Sequence, residues 1–525
     1  MFDRERFNPI QPEDDRPHES CGLVTLYSTT LDTQRQVDHV LRAGYGVQHR
    51  GQQGAGIAYP TREGIRYFVG NGLLPDVFTS NIVKGFNEEN PGHWMQLHTR
   101  YGTDQQAGFE EQNLQPVIAH APDGSQLSFM HNGQFTGKDE IRSLVKEYSG
   151  KEYPDDVSDS FLVAQLLANS PGDTWEEKII HGLNQVNGAF SVSIGVKDMI
   201  FLARDQFGFR PHVVGKLGDG WVAASETLAL QKIGVKTERS LLRGEIVRID
   251  HRGLETIQEG LLGQGNFCDF ELAYFEDVRS LFPTFNSPDD SFHPERWMSN
   301  YEARKLAGIY LAQKSKDKMK DLDFITAVLD SGGPFGAGLA IGAGLPYEPI
   351  IIRDHVDPKA KPRLFQGSNI DLIPHQIGGK LSLVPGSVRG KRVGVGDDSN
   401  VRGNVNTEVN KQMRDDGAIV IRDFFGYPMV LHTCHLGVSL HTKNELVAAR
   451  NNGDLDAIAR ELGADSVDYV SHSDFIKARK NGGDILTPKD IRNIFLENGG
   501  CGGCLTGRYP IDEQGVIFDY KSQDN

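Results

Sequence analysis

Short apolar runs separated by glycine, Asn and Asp turns dominate the first half of the chain, and this pattern predicts β-strands. Helical spacing occurs between them, for example at Asp159–Ala168. The mixture favours a layered αβ domain with largely antiparallel sheets. The predicted strands are Gly22–Tyr27, Gln126–Met130, Ala189–Gly195, Met199–Ala203 and Gly244–Ile249.

The pattern changes after 282–294, a stretch rich in Pro, Ser and Asp that predicts an irregular connection near a domain boundary. Beyond it, helix, strand and glycine loop repeat in turn, which favours a doubly wound parallel sheet with ligands at the carboxyl ends of its strands. The apolar, glycine-rich stretch Gly336–Leu345 predicts a helix packed against that sheet. The predicted strands are Asp323–Leu329, Tyr347–Ile352, Lys391–Gly396 and Gly417–Arg422.

A chain of 525 residues is too long for one hydrophobic core, so we divide it into a leader, 1–20, a first domain, 21–265, and a second domain, 266–525. Its net charge of −16 argues against nucleic-acid binding. The sequence has no apolar run of about 18 residues, which argues against a membrane span. The acidic leader lacks the apolar core of a secretory signal, so we expect a cytoplasmic protein whose thiols stay reduced.

The five cysteines divide into one plus four, and Cys21 stands alone behind the charged leader. Cleavage after Ser20 would give Cys21 a free α-amine, which titrates near pH ~8 and can accept the thiol proton. One residue would then supply both nucleophile and base. The alternative interpretation is a buried cysteine on an edge strand.

Six runs downstream of Cys21 resemble the class II glutamine amidotransferases, which are N-terminal-nucleophile hydrolases. Among these the chain is most similar, over roughly 21–510, to the glutamine phosphoribosylpyrophosphate (PRPP) amidotransferase family, also called amidophosphoribosyltransferases. Each run alone also fits an ordinary surface pair, tight turn or helix cap. The runs are Gln48–Gly56, Thr99–Gly102, His131–Gln134, Ser158–Ser160, Gly208–Pro211 and Ala224–Thr227.

The resemblance implies an α+β N-terminal-nucleophile hydrolase domain with αββα layers, followed by an α/β type I phosphoribosyltransferase-like domain. It also implies roles in the first domain. Arg100 would bind the α-carboxylate of glutamine and Asp159 its α-ammonium group. The side-chain amide of Asn132 and the backbone N–H of Gly133 would stabilise an oxyanion, with Arg50 close to the nucleophile.

The other four cysteines include the pair Cys501-Gly-Gly-Cys504, a spacing that suits metal ligation but also a redox pair or half of a zinc site. One subset of the resembled family carries a [4Fe–4S] cluster and an N-terminal propeptide. That resemblance implies that Cys268, Cys434, Cys501 and Cys504 are the cluster ligands. The implied role is structural, although four thiolates suit zinc as well.

In the second domain the run Gly394–Gly403 resembles the acidic pair and phosphate loop of type I phosphoribosyltransferases. The resemblance implies that Asp397 and Asp398 hold the ribose hydroxyls and Mg²⁺. It places the 5′-phosphate at a following helix N-terminus. The other residues it implies for PRPP binding are Ser399, Arg402, Gly403, Asp330 and Ser331.

Several positions depart from the family pattern. Asn404 and Val405 replace two threonines, and Gly332 replaces a hydroxyl residue of the pyrophosphate loop. The flexible lid is also altered at 353–356 and 361–363, although Lys380 and Arg392 keep some positive charge. We therefore expect less cationic character at the pyrophosphate, and Gly394 and Gly396 are expected to loosen the strand before the acidic pair.

Three functions follow from these observations. The first is a glutamine-dependent amidophosphoribosyltransferase that passes ammonia to C1 of PRPP and makes 5-phosphoribosylamine, the first step of purine synthesis. The second is a paralogue whose intact glutaminase serves another acceptor, or whose second domain binds or regulates. The third is a non-enzymatic cluster protein. Glutamine and PRPP are the expected small-molecule substrates, and we expect a homo-oligomer.

Overall fold

The computed structural model describes residues 21–88, 92–101, 114–262, 265–284, 292–293, 295–353 and 381–518. The leader, 1–20, lies outside the described residues. So do residues 354–380, which include Lys361 and Arg363 of the predicted lid and also Lys380. No helix in these ranges has the length and apolar character needed to cross a bilayer.

Two antiparallel sheets form the first half. Their strands in chain order are β1 Gly22–Tyr27, β2 Gly54–Thr61, β3 Gly64–Asn71, β4 Trp94–Arg100, β5 Val117–His120, β6 Gln126–Thr136, β7 Asn187–Val196, β8 Met199–Arg204, β9 Val213–Leu217, β10 Gly220–Ala224, β11 Thr237–Ser240, β12 Ile246–Asp250 and β13 Gly253–Gln258. One sheet has the order β11-β9-β10-β1-β4-β2-β3, and the other has the order β13-β12-β8-β7-β6-β5.

Helices cover the outer face of each sheet. They are α1 Thr33–Tyr45, α2 Leu74–Val77, α3 Ser80–Glu88, α4 Lys138–Ser149, α5 Asp159–Asn169, α6 Trp175–Leu183 and α7 Thr227–Lys232. Apolar residues of α1 pack on β1 and β4, whereas those of α4, α5 and α6 pack on β6 and β7. Trp94 and Leu202 lie in a third cluster between the two sheets. This confirms the αββα layers.

All five strands predicted in the first half are confirmed, and β1 has the predicted bounds. β6 is the most extended relative to prediction, since it continues to Thr136. The helix predicted at Asp159–Ala168 is α5, with Ser158 as its N-cap. The expected break at 265/266 between domains stays a prediction.

The second half contains β14 Phe267–Cys268, β15 Leu281–Pro283, β16 Trp297–Ser299, β17 Phe324–Ala327, β18 Ile351–Arg353, β19 Leu381–Leu383, β20 Arg392–Asp397, β21 Val420–Phe425, β22 Ser466–Tyr469 and β23 Gly500–Cys501. The central sheet is parallel and has the order β17-β20-β21-β22. β14 pairs in parallel with β23, whereas β15 with β16 and β18 with β19 are antiparallel pairs.

Helices lie on both faces of the parallel sheet. Those of the second half are α8 Asn300–Lys314, α9 Lys316–Met319, α10 Gly333–Ala343, α11 Asn404–Asp415, α12 Val447–Arg450, α13 Leu455–Leu462, α14 His472–Arg479, α15 Ile494–Glu497 and α16 Gly503–Thr506, with a π-helical turn at Glu271–Phe275. Ile325 packs with α8 and α10, whereas Val393 packs with α11 on the other face. This confirms the doubly wound arrangement.

Two expectations differ from the structure. The prediction of one strand over Tyr347–Ile352 was wrong, since Tyr347 makes only an isolated parallel bridge to Ile325 and β18 begins at Ile351. Pro349 lies between and lacks the N–H that a continuous ladder needs. Gly396 does not simply loosen β20. A Cβ there would lie 3.0 Å from the Cα of Gly336, so its absence lets α10 pack closely on the sheet.

Candidate functional site

Cys21 directly precedes β1 and lines a cavity of about 410 Å³. Arg100 at the end of β4, Gly133 in β6 and Asp159 at the start of α5 line the same cavity. The Cys21 thiol lies 3.8 Å from the carbonyl oxygen of Tyr101. The structure therefore brings together Cys21 and three other candidate site residues that come from distant segments of the sequence.

Asn132 and Gly133 are neighbours on β6, and Gly133 lines the cavity that holds Cys21. Asn132 is fully buried, and neither polar atom of its side-chain amide has a hydrogen-bond partner within the described residues. A buried amide without partners costs about 1–3 kcal/mol, which a ligand accepting its N–H would recover. Gly133 has φ +126°, and a Cβ there would lie 1.8 Å from the carbonyl oxygen of Ala189, so glycine is required.

Hydrogen bonds hold the carboxylate of Asp159 in one orientation. Its Oδ2 accepts from the backbone N–H of Phe135 at 3.0 Å, and its Oδ1 accepts from that of Ser160 at 2.7 Å. The Ser160 hydroxyl lies 2.8 Å from Nδ1 of His131. Burial lowers the pKa of His131, so its ring is neutral at pH 7. The arrangement presents a fixed negative charge to the cavity.

Arg50 lies next to Cys21 and is fully buried. Its Nε donates to the carbonyl oxygen of Cys21 at 3.3 Å, and its Nη1 donates to Glu226 at 2.5 Å. Its Nη2 forms an ion pair with Glu271, which also accepts from Nη1 of Arg210 at 2.9 Å. Two buried cations therefore balance two buried carboxylates next to Cys21.

The same network extends toward the C-terminal part of the chain. Nη2 of Arg210 donates to the carbonyl oxygen of Leu436 at 2.8 Å. The segment 433–441 around Leu436 lines the cavity that holds Cys21. Arg210 and Glu226 lie in two of the family-like runs, but those runs implied no role for either residue. Nothing in the sequence indicated that 433–441 reaches this cavity.

A second cavity, of about 460 Å³, lies at the carboxyl ends of β17 and β20. Gln48, His49 and Gln52 of the first half also line it, so it lies where the two halves meet. Every residue predicted to bind PRPP lines this cavity: Asp330, Ser331, Asp397, Asp398, Ser399, Arg402 and Gly403.

Asp397 and Asp398 form a buried acidic pair at the end of β20. The backbone N–H of Asp398 donates to Oδ1 of Asp397 at 2.9 Å. Burial and the neighbouring charge of Asp398 raise the pKa of Asp397 well above its usual range. Two buried carboxylates in this position suit a divalent cation. Gly403, with φ +89°, precedes α11, whose first backbone N–H groups can bind an anion.

The arginines around the second cavity already have protein partners. Arg402 forms a buried ion pair with Glu445, and Arg353 forms an ion pair with Asp330. Arg304 donates to the carbonyl oxygens of Leu272 and Glu276. Arg402 therefore contributes to the cavity mainly through its backbone, because its guanidinium group is directed to Glu445.

The four remaining cysteines come together from three segments. Cys268 and Cys501 are register partners in the β14–β23 pair, and Cys504 lies in α16. Burial, followed by the other thiols, raises the pKa of Cys501 and Cys504 well above the usual range. Burial raises the pKa of Cys268 to about 12. These thiols would stay neutral unless a metal centre replaced their protons.

A donor set of four cysteines suits either a tetrahedral zinc ion or an iron–sulfur cluster. Sulfurs around one tetrahedral zinc lie roughly 3.8 Å apart, because each Zn–S bond is ~2.3 Å long. In the described part of the chain, no three His, Cys, Asp or Glu side chains are arranged to hold one metal ion.

The chain is similar to proteins of one kind along nearly its whole length. The family described as glutamine amidotransferase domain matches residues 105–232. The human amidophosphoribosyltransferase is 30% identical over 94% of this chain and 98% of its own length. The Synechococcus elongatus amidophosphoribosyltransferase is 30% identical over 95% of this chain and 92% of its own.

Two solved structures share the fold. A glutamine PRPP amidotransferase from B. subtilis, in complex with ADP and GMP, aligns with a TM-score of 0.77 at 26% identity, covering 95% of this chain and 99% of that one. A structure described as the allosteric regulatory enzyme of purine biosynthesis aligns with a TM-score of 0.78 at 27% identity, covering 96% and 97%. The likeness therefore spans both cavities.

Proposed function

The chain belongs to the amidophosphoribosyltransferase family, and from this premise we propose how its two cavities carry out the reaction. Glutamine is hydrolysed at Cys21, and the ammonia reacts with PRPP in the second cavity to give 5-phosphoribosylamine and pyrophosphate. The observation that carries this proposal is the cavity that unites Cys21, Arg100, Gly133 and Asp159 beside the buried amide of Asn132.

In the first cavity Arg100 binds the α-carboxylate of glutamine and Asp159 binds its α-ammonium group. The α-amine of Cys21 accepts the thiol proton, and the thiolate attacks the carboxamide carbon. Asn132 and Gly133 donate hydrogen bonds to the oxyanion that forms. The α-amine returns its proton to the leaving nitrogen, ammonia departs, and water hydrolyses the thioester to glutamate.

In the second cavity Asp397 and Asp398 hold the ribose hydroxyls of PRPP. The 5′-phosphate binds at the N-terminus of α11, where Ser399 and the backbone from Arg402 to Gly403 surround it. Asp330 and Ser331 lie at the pyrophosphate. Asn404 supplies an amide N–H where the family pattern has a hydroxyl, so phosphate binding is kept with a different donor.

Two cofactors follow from the donor sets. The acidic pair fits Mg²⁺, which neutralises charge on the pyrophosphate when it is bound. The thiols of Cys268, Cys434, Cys501 and Cys504 fit a [4Fe–4S] cluster, which ties β14 and the C-terminal segment together. The buried, mutually interacting thiols support this assignment over four unrelated cysteines.

Three further features complete the proposal. Removal of the leader after Ser20 exposes the α-amine that the mechanism requires. The location is the cytoplasm, where reduced thiols persist. The chain assembles into a homo-oligomer.

The decisive experiment is pyrophosphate release from PRPP by anaerobically purified, processed protein, with glutamine or ammonium as nitrogen donor. We expect release with both donors in the presence of Mg²⁺. In Cys21→Ala we expect release with ammonium only, because the second cavity keeps its residues. Absence of release with either donor would contradict the proposal, and a glutaminase that still produces glutamate would then point to another acceptor.

A further inference from the structure

Glu276 is a carboxyl group in the wall of the second cavity, directly after the π-helical turn Glu271–Phe275. The residue is only 3% exposed, and Tyr274 and Phe275 line the cavity beside it. The sequence had assigned it no role. Gln48 and His49 of the first half line the same cavity as Glu276 and the acidic pair.

The protein holds this group by defined contacts. Its Oε2 accepts a hydrogen bond from Nδ2 of Asn300 at 2.7 Å. Its backbone oxygen accepts from Nη2 of Arg304 at 2.7 Å, and Nη1 of Arg304 donates to the carbonyl oxygen of Ser331 at 3.4 Å. Glu276 is thereby fixed relative to the loop that is proposed to hold the pyrophosphate.

Glu276 also lies near the buried ion pairs of Arg50 that adjoin Cys21. Glu226 lies close enough to raise its pKa, and Arg50 links Glu226 to the carbonyl oxygen of Cys21. Burial first, and then the charge of Glu226, raise the pKa of Glu276 to about 8. The charged groups around it are Glu226, Glu271, Arg50, Arg304 and the adjacent Asp277.

We propose that Glu276 is a catalytic residue that accepts the proton lost by the incoming nitrogen as it bonds to C1 of the sugar. This inference rests on the proposed function. The nitrogen lone pair of ammonia forms the C1–N bond while the bond from C1 to the pyrophosphate oxygen breaks. The resulting alkylammonium group transfers one proton to the Glu276 carboxylate, which leaves 5-phosphoribosylamine, pyrophosphate and a protonated Glu276 that later releases its proton to solvent.

The other carboxyl groups of the cavity are less suited to this task. Asp277 is bound by its neighbour Arg279, which holds the pKa of Asp277 below its usual range. Asp330 is paired with Arg353. Asp397 and Asp398 are committed to the sugar and the cation. A base is most effective when its pKa lies near the working pH, as that of Glu276 does.

The test compares the wild-type protein, Glu276→Gln and the matched control Asp277→Asn. Gln keeps the shape and the acceptor for Asn300, so the fold should persist. Pyrophosphate release is measured with ammonium as donor, from about pH 6 to pH 9, with rates expressed per concentration of free ammonia. The KM for PRPP is measured in the same series.

At the acidic end of the range we expect the kcat of the wild type to be close to that of Glu276→Gln, because Glu276 is then protonated and cannot accept a proton. As the pH rises through about 8, the wild-type kcat should come to exceed that of the variant by roughly 10²-fold. Asp277→Asn should follow the wild type, and the KM for PRPP should stay unchanged in both variants. A ratio of these two kcat values that is flat with pH would overturn the role of Glu276 while leaving the proposed function intact. A wild-type protein that releases no pyrophosphate would overturn the proposed function and this inference with it.

Discussion

Glu226 and Glu276 are both buried and within reach of each other's charge, but their pKa values shift in opposite directions, that of Glu226 downward and that of Glu276 upward. Although burial alone would raise it, the pKa of Glu226 is held well below its usual range by His49 and Arg50. Glu276 has Asn300 as its side-chain partner and a raised pKa. The arrangement fits the general pattern of paired titratable groups whose environments push their pKa values apart.

The first prediction concerns stability and pH. The pKa of Glu276 rises from 4.5 to about 8 on folding, so between these values the folded chain keeps a proton that the unfolded chain has lost. Stability is therefore lost as pH rises through this window. Glu276→Gln should gain a few kcal/mol relative to the wild type between pH ~5 and ~8, measured by thermal unfolding.

Asp277→Asn is the control for this measurement, because the pKa of Asp277 is lowered and its titration falls below the window. The stability of Asp277→Asn should therefore change with pH in the same way as that of the wild type. The same pH dependence in Glu276→Gln would show that Glu276 is ionised in the folded protein.

The second prediction concerns Arg50. Lysine at this position keeps the charge but lacks the forked donors that reach Glu226, Glu271 and the carbonyl oxygen of Cys21 at once. We expect Arg50→Lys to lose about 3–5 kcal/mol of stability in urea, since a buried carboxylate is left without its partner. Arg42→Lys, in an exposed pair with Asp38, should lose less than about 1 kcal/mol. Equal losses would contradict the buried network.

A third prediction separates catalysis from stability at the oxyanion site. Asn132→Ala should lower kcat for glutamine hydrolysis by about 10²–10³, because one donor to the oxyanion is removed. The amide has no hydrogen-bond partner in the described residues, so the melting temperature should change little. Ser191 lies directly opposite Asn132 on β7 and is also buried, and Ser191→Ala should leave kcat unchanged. A similar loss of kcat in both variants would point to general disturbance of β6 and β7.

The fourth prediction distinguishes the lone cysteine from the other four. Serine at 268, 434, 501 or 504 should abolish the iron and sulfide content and the visible absorbance of anaerobically purified protein. Cys21→Ser should keep both, because the thiols that act on one another's pKa are those of Cys268, Cys434, Cys501 and Cys504. The variants that lose iron should also melt at a lower temperature than Cys21→Ser. Zinc without iron in the wild-type protein would contradict the cluster.

Local patterns were sufficient to predict most of the fold. β1 is one short, largely apolar run, and α5 begins directly after its N-cap Ser158. The bounds of both elements could therefore be predicted from adjacent residues. The strand predicted over Tyr347–Ile352 does not form along its whole length for an equally local reason, since Pro349 interrupts it. β22 was not anticipated, since its run Ser466–Tyr469 is short and half polar.

The sequence predicts candidate site residues only where they lie within a recognisable motif. Cys21, Arg100, Asn132 and Asp159 could be named from their runs. The partners of Arg50 could not, because Glu226 and Glu271 are 176 and 221 residues away along the chain. Nothing in the sequence around Glu276 marks it as buried, since two acidic residues in a row usually predict a solvated turn.

The contribution of 433–441 to the glutamine cavity limits how this enzyme can be rearranged. A wall of the cavity that holds Cys21 is made by residues of the second half of the chain, in which the proposed PRPP-binding residues also lie. The first half is therefore not an interchangeable module, and a chimera that joined it to the second half of a distant relative would leave its nucleophile in an ill-fitting pocket. A substitution within 433–441 should therefore change the cavity that holds Cys21, although this segment is more than 400 residues away from Cys21 in sequence.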